Sequence, residues 1–205
     1  MAKLKEVSAE EEEESLGIKT NQLFGDWKIV KKLDEAESSK SIGGAAIKLE
    51  IAVLELLNKN NSKMYVPQLF RARRRKKFHY MVVTLLGENL RSLRTDSKTG
   101  RISAETWSRL AIQCLYGIKL VHEIGYIHRD IKPPNFVMGH RSDVNRVRVV
   151  HVLDFGMARH FARFDGNKWI VRKARPSCDF RGTYRYCSPM CMRDVNNRER
   201  MISGH

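Results

Sequence analysis

Cysteine is scarce in this chain, and its four copies are badly placed for a metal. Cys187 and Cys191 stand four apart with no second pair and no nearby histidine, and Cys114 and Cys178 supply no zinc-ligand spacing either. They read as reduced thiols of a cytoplasmic protein, with the nucleus as the alternative. Long apolar runs are missing too. The most apolar stretch, Met81 to Leu86, contains a threonine and falls far short of a membrane span. The opening residues, Met1 to Glu14, are glutamate-rich, which is not the pattern of a signal peptide. Glycine is absent from Asp34 to Ser41, and Gly43-Gly44 is a bare pair without the spacing of a loop that cradles phosphate. Aromatic residues are absent from the basic cluster Arg71 to Lys77, where a reader of single-stranded nucleic acid would interleave them.

What is present suits a water-facing globular chain. Its 205 residues are 42% hydrophobic and 30% charged, enough for one good core or two small lobes. The net charge of +15 asks for an anionic partner: nucleic acid, a membrane surface, or acidic or phosphorylated protein segments. Charge alone does not choose among these. The basic cluster at Arg71 to Lys77 sits where a hairpin tip is expected, and reads either as a solvated turn or as an anion patch.

Residues 1–21, with five successive glutamates from Glu10 to Glu14, read as an acidic, disordered tail. Trp27 to Leu33 alternates well enough for a first strand. Ala46, Ile47, Glu50, Val53, Leu54 and Leu57 fall on one helical stripe, so about Ala45 to Leu57 is expected to be helical, with Glu50 the one charge on its apolar face. Strands are expected at Gln68 to Ala72 and Phe78 to Leu86, followed by a short helix after Leu86-Gly87-Glu88-Asn89-Leu90. Ser103 can cap the next helix, in which Trp107, Leu110, Ala111, Cys114, Leu115, Ile118 and Val121 form a stripe that closes near Gly125. Phe136 to Met138 and Val147 to Leu153 read as strands around a polar insertion. After Gly156 the chain reads as a basic loop.

The chemistry concentrates in Ile127-His128-Arg129-Asp130-Ile131-Lys132-Pro133-Pro134-Asn135. Two prolines keep this stretch out of a helix. Asp130 can accept a proton from an incoming hydroxyl, Lys132 can hold a transferring phosphate, and the Asn135 amide oxygen can coordinate a hard cation such as magnesium. Nineteen residues after Asn135, Asp154 opens Asp-Phe-Gly at the end of an apolar run. The bland alternative makes His128 a core histidine and Asp154 a turn cap.

In this order and spacing, the two motifs resemble the catalytic loop and the metal-binding strand end of protein kinases. With Lys48-Leu49-Glu50, Leu85-Leu86-Gly87 and Leu90, and the Gly-Thr-x-Arg-Tyr run at Gly182 to Tyr186, the chain resembles the casein-kinase-I group, in its tau-tubulin-kinase-like branch. The resemblance implies an α+β, two-lobed kinase-like fold: a small β-rich N-lobe with one helix over about residues 22–86 and a partial helical C-lobe over about 87–200. Residues 201–205 would be a further tail. It implies a monomeric serine/threonine kinase using ATP and Mg2+ on protein substrates with acidic or phosphorylated segments, with neither a membrane nor a nucleic acid as partner.

By the same resemblance Asp130 orients the hydroxyl, Lys132 steadies the γ-phosphate, and Asn135 and Asp154 bind magnesium. Glu50 is the helix glutamate, backbone near Leu85 meets adenine, and Val137 packs beneath the ring. Thr183 buttresses the catalytic loop, and Arg185 favours acidic substrates. Lys48 stays open between a nucleotide lysine on a strand and a residue of the helix. The spaced glycines and the strand lysine of the family are missing or displaced, and the helical remainder of the C-lobe does not follow. Two other functions therefore stand beside the kinase: a non-catalytic kinase-like binding module or truncated product, and a basic nucleic-acid binder.

Overall fold

The computed structural model describes residues 23–24, 27–28, 43–59, 64–74, 79–97, 100–173 and 180–189. The acidic tail, the 201–205 tail, most of the first expected strand and Arg75 to Lys77 lie outside the described residues. The architecture is α+β, with small antiparallel sheets and three helices among those residues.

Two short strands, β1 (Leu23–Phe24) and β2 (Trp27–Lys28), pair with each other. Helix α1 (Gly43–Lys59) then follows the expected stripe. Val53, Leu54 and Leu57 are fully buried on it, while Lys48 is exposed. The next strands, β3 (Leu69–Arg74) and β4 (His79–Val83), form a hairpin against this helix. Asn58 locks the junction: its Nδ2 donates to Leu54 O and Pro67 O, and its Oδ1 accepts from Leu69 N at 3.1 Å. One amide thus satisfies backbone groups that helix end and strand start would otherwise leave unpaired.

A three-stranded antiparallel sheet carries the centre of the molecule: β5 (Leu86–Asn89), β7 (Phe136–Gly139) and β8 (Val150–Val152), with β7 in the middle. Helix α2 (Leu90–Thr95) grows directly from β5, its N-terminus capped by the Asn89 side chain, which accepts from Arg91 N and Ser92 N. Helix α3 (Ala104–Glu123) is capped by Ser103 through Thr106 N. Gly125, at φ +80°, turns the chain out of it.

Helix α3 buries most of the stripe expected of it, with Cys114 and Ile118 packed against the core beside Leu110 and Val121, but not Trp107 or Leu115. Leu110, Gly117, Leu120 and Val121 are buried, whereas Trp107 is 52% and Leu115 67% exposed. The reason is the approach of β8. A Cβ on Gly117 would lie 2.5 Å from Val152 Cγ2, so the helix turns its side-chain-free position to the sheet. Gln113 completes the docking: its Oε1 accepts from Val150 N at 3.0 Å and its Nε2 donates to Arg148 O. Val152 N donates to Tyr65 O, so the outer edge of β8 is satisfied without another strand. One apolar cluster joins α1, α2, α3 and this sheet, with Val66, Phe136, Val150, Val152 and Phe155 at its centre.

Two further expectations change. Val147 to Val149 is turn rather than strand, because Val147 N donates to Asp143 O and Val149 N to Arg146 O. The segment after Gly156 is not wholly loop. Residues Arg159–His160 form β9, which pairs with β6 (Tyr126–Ile127), and β10 (Ala162–Phe164) pairs with β11 (Trp169–Val171) as a hairpin. Asp165-Gly166 between alternating apolar residues is the turn signal that marks it.

His151 on β8 is fully buried; its Nδ1 lies 3.0 Å from Val149 O and its Nε2 has no partner. Burial, then the nearby Arg146 charge, hold its pKa below the ordinary histidine value, against the weaker opposing pull of Asp143. The folded state therefore binds that proton more weakly than the unfolded chain. Its contribution to stability is complete above about pH 6.5 and is lost as pH falls below it. Thermal unfolding of His151→Leu should accordingly fall less steeply than that of the native chain between pH 7 and pH 5; parallel curves would contradict this.

Candidate functional site

The site forms where β6 leaves α3 and β8 runs out of the sheet. After β6 the backbone turns through Arg129 at φ +69°, and after β8 through Asp154 at φ +65°. Both are left-handed conformations that non-glycine residues seldom adopt, and strain of that kind concentrates at functional positions. Between them the Leu153 backbone is held through both its N–H and its carbonyl. Leu153 N donates to Asn135 O at 2.9 Å, and Leu153 O lies 2.8 Å from His128 Nε2.

His128 is 2% exposed, and its Nδ1 accepts from Asp130 N at 3.3 Å. Burial lowers its pKa, and both ring nitrogens have roles that the neutral, Nε2-protonated imidazole satisfies. The bland reading of His128 as a core histidine is half right: it is buried, and it ties the Asp130 loop to the Asp154 strand.

Asp130 is 3% exposed and fully partnered. Its Oδ2 receives Lys132 Nζ at 2.6 Å and Asn135 Nδ2 at 3.3 Å; its Oδ1 accepts from Thr183 Oγ1 at 2.7 Å. Lys132 Nζ also donates to Thr183 Oγ1 at 3.1 Å. Burial pushes the carboxyl up, but the hydrogen bonds from Lys132, Thr183 and Asn135 together with the Lys132 charge outweigh it, and its pKa lies below the ordinary value. The group is a buried, ionised acceptor at neutral pH.

Thr183 reaches Asp130 because of the residue before it. Gly182 sits at φ +122°, and a Cβ there would come within 2.4 Å of Arg129 O. Gly182 opens the Gly-Thr-x-Arg-Tyr run, and its close approach to Arg129 O is the role that the run's letters did not state. Arg129 Nε donates to Met157 O at 2.6 Å, fastening the same loop to the segment beyond Asp154.

Asparagine and aspartate oxygens suit a hard cation. Asn135 spends its amide nitrogen on Asp130 O and Oδ2, which leaves the amide oxygen as the metal-facing end. Asp154 is the residue that follows Leu153, whose backbone the same loop holds. The described residues contain no group of three histidine, cysteine or acidic ligands. Magnesium does not ask for one, since it keeps waters and substrate oxygens in its shell. The residues therefore fit magnesium bound together with phosphate.

The other expected site residues are spread around this centre. Glu50 lies beside the Asp154-Phe155 turn and accepts backbone hydrogen bonds from it. Lys48 stands two positions away on the exposed side of α1, so it does not face Glu50 and is no strand lysine. Val137 is buried on β7, Leu85 is 55% exposed beside β5, and Arg185 is exposed in the turn Tyr184–Tyr186.

With that geometry in place, comparison with known proteins gives the family. The protein kinase domain model matches residues 18–201. The chain belongs to the protein kinase family. An inactive tau-tubulin kinase of Caenorhabditis elegans is 43% identical over 145 residues, which is 69% of this kinase domain and 50% of that protein. A Dictyostelium discoideum protein named as a serine/threonine-protein kinase is 36% identical over 166 residues, 81% of this chain and 31% of its own length. A C. elegans protein named as a casein kinase I is 34% identical over 134 residues, 65% and 38% of the two. The kinase chain thus spans half or less of the curated relatives it matches.

Glu50 makes the site sensitive to pH. Burial first, and the neighbouring Asp154 charge second, raise its carboxyl from the ordinary value to about 7. A carboxyl raised in the folded state contributes stability at low pH that is lost as pH rises through about 7. Glu50→Gln should therefore be more stable than the native kinase at pH 8, by at most about 3 kcal/mol and with a higher melting temperature, and show no such advantage at pH 4.5. Equal melting curves at pH 8 would contradict the assignment.

Proposed function

We propose that this kinase domain transfers the γ-phosphoryl group of ATP to serine or threonine hydroxyls of protein substrates. The observation that carries the reading is the Asp130 carboxylate, held ionised by Lys132, Asn135 and Thr183 on a loop that is bonded through Asn135 O and His128 Nε2 to Leu153, the residue before Asp154. Phosphoryl transfer is mostly positioning and charge stabilisation, and this arrangement supplies both. Asp130 accepts the proton side of the incoming hydroxyl and aims its oxygen, while Lys132 offers a cation to the transferring group. Magnesium held by Asn135 and Asp154 would neutralise phosphate charge. Adenine would lie over Val137 against backbone near Leu85. The basic residues Arg172, Lys173, Arg181 and Arg185, all exposed, favour acidic or phosphorylated substrate segments. No helix among the described residues is long and apolar enough to cross a membrane, and we place the domain in the cytoplasm or nucleus as a monomer.

One observation favours a second reading, a kinase-like module that binds without catalysing. Among the described residues Glu50 faces Asp154 and backbone N–H groups rather than a cation, and Lys48 is turned away. A kinase lacking that cation holds its nucleotide more loosely. The relative named as an inactive tau-tubulin kinase is in keeping with this reading.

Transfer of labelled phosphate from magnesium-ATP to an acidic protein substrate separates the two. Asp154→Ala should abolish transfer, and Asp130→Asn should slow it roughly 10²–10⁴-fold while nucleotide affinity holds. Activity indifferent to Asp154→Ala would remove the kinase reading, and nucleotide binding without any transfer by the native chain would select the binding module.

A further inference from the structure

The connection between β7 and β8 is longer than an antiparallel pair requires. Two residues would join such strands. Here Gly139 to Val149 intervene, and local hydrogen bonds make them a compact unit. Asp143 N donates to His140 O, Asn145 N to Asp143 Oδ1, Arg146 N to Asp143 O, and Val149 N to Arg146 O. Gly139 N closes the base by donating to Val149 O at 3.0 Å.

One side chain of this unit reaches away from it. Arg146, only 16% exposed, has Asp143 Oδ2 3.7 Å from its Nε, and its Nη1 donates to Thr84 Oγ1 at 3.3 Å. Burying a guanidinium is costly unless its donors are used, so this contact is held by burial as well as charge. Thr84 is itself a fixed point: its N donates to Gln68 O, and its Oγ1 accepts from Gln68 N at 2.9 Å. It immediately precedes Leu85 in the segment that leads from β4 into β5.

A second, independent contact runs alongside. A Cβ on Gly87 would fall 2.9 Å from Gly139 O, and one on Gly139 would fall 2.0 Å from Arg146 O. Three backbones are therefore stacked with no room for side chains: the start of β5, just after the β4–β5 connection, the end of β7 and the loop that carries Arg146.

We propose that Arg146 is a positioning residue for the β4–β5 connection. It makes the Gly139–Val149 loop a strut that fixes the backbone against which the nucleotide base lies. The nucleotide part of this inference rests on the proposed kinase function; the strut itself does not. Where no described residue places a cation at Glu50, a preset base site keeps the remaining nucleotide contacts aligned.

Amide hydrogen exchange of the whole chain tests the strut, and calorimetric titration with magnesium-ADP tests its consequence. Arg146→Leu should speed exchange at Leu85 to Glu88 about tenfold, leave α3 unchanged, and weaken magnesium-ADP binding about tenfold, the scale of one charged hydrogen bond. Arg146→Lys, which keeps a donor, should recover most of both. Thr84→Val should act like Arg146→Leu, and the double variant should be no worse than either alone. Exchange at Leu85 to Glu88 that is unchanged, or that rises equally in α3, would overturn the strut. Faster exchange with unchanged affinity would overturn its link to the nucleotide. Faster exchange in Arg146→Leu, together with a native chain that takes up no magnesium-ADP, would leave the strut standing and overturn the kinase function instead.

Discussion

The backbone of a single residue, Leu153, fastens the loop that carries Asp130 to the strand end that carries Asp154. Its N–H is taken by Asn135 O and its carbonyl by His128 Nε2. Asp130 and Asn135 lie on the loop those bonds hold and Asp154 is the next residue after Leu153, so short, directional bonds link the two segments. Buried polar groups of this kind are specific because leaving any one unpaired is costly. His128 can serve only while neutral, since protonation would turn its Nδ1 from an acceptor into a second donor facing Asp130 N. Its burial keeps it neutral.

Everything outside those bonds works by close approach. Gly117 lets α3 lie against Val152, the strand residue just before Leu153. Gly125, where a Cβ would meet Ala162 O at 2.0 Å, lets the chain after β9 cross directly over the entry to β6. Gly182 lets the 180–189 segment rest on Arg129 O and deliver Thr183 to Asp130. At each point a missing side chain permits a backbone contact, and the contact places a charged or polar group several residues away.

Much of this was legible in the residues. The two motifs, the helix carrying Glu50 and the paired strands after it follow from spacing and periodicity, which report local structure directly. Helix α3 was legible as a helix and in most of its buried face, Leu110, Cys114, Ile118 and Val121, but not in the exposure of Trp107 and Leu115 or in Gly117, on which the sheet docks. A glycine has no hydropathy to report, so periodicity alone passes over that contact. The β10–β11 hairpin was obscured by its arginines and lysines, although Asp165-Gly166 announced the turn. Lys48 shows the opposite failure, in which a familiar run of letters suggested a strand and helix periodicity was the better guide. The contacts that join distant segments, Thr183 with Asp130 and Arg146 with Thr84, leave no periodic trace.

The most direct test follows the two carboxylates at once. Adding manganese to the chain in the presence of ADP, and following paramagnetic broadening of assigned backbone resonances, reports every segment near the ion. The tether through Leu153 predicts that resonances around Asp130 to Asn135 and around Asp154 to Gly156 broaden together, at the same manganese concentration, and only when ADP is present. Broadening at one segment without the other, or at neither, would contradict a shared site.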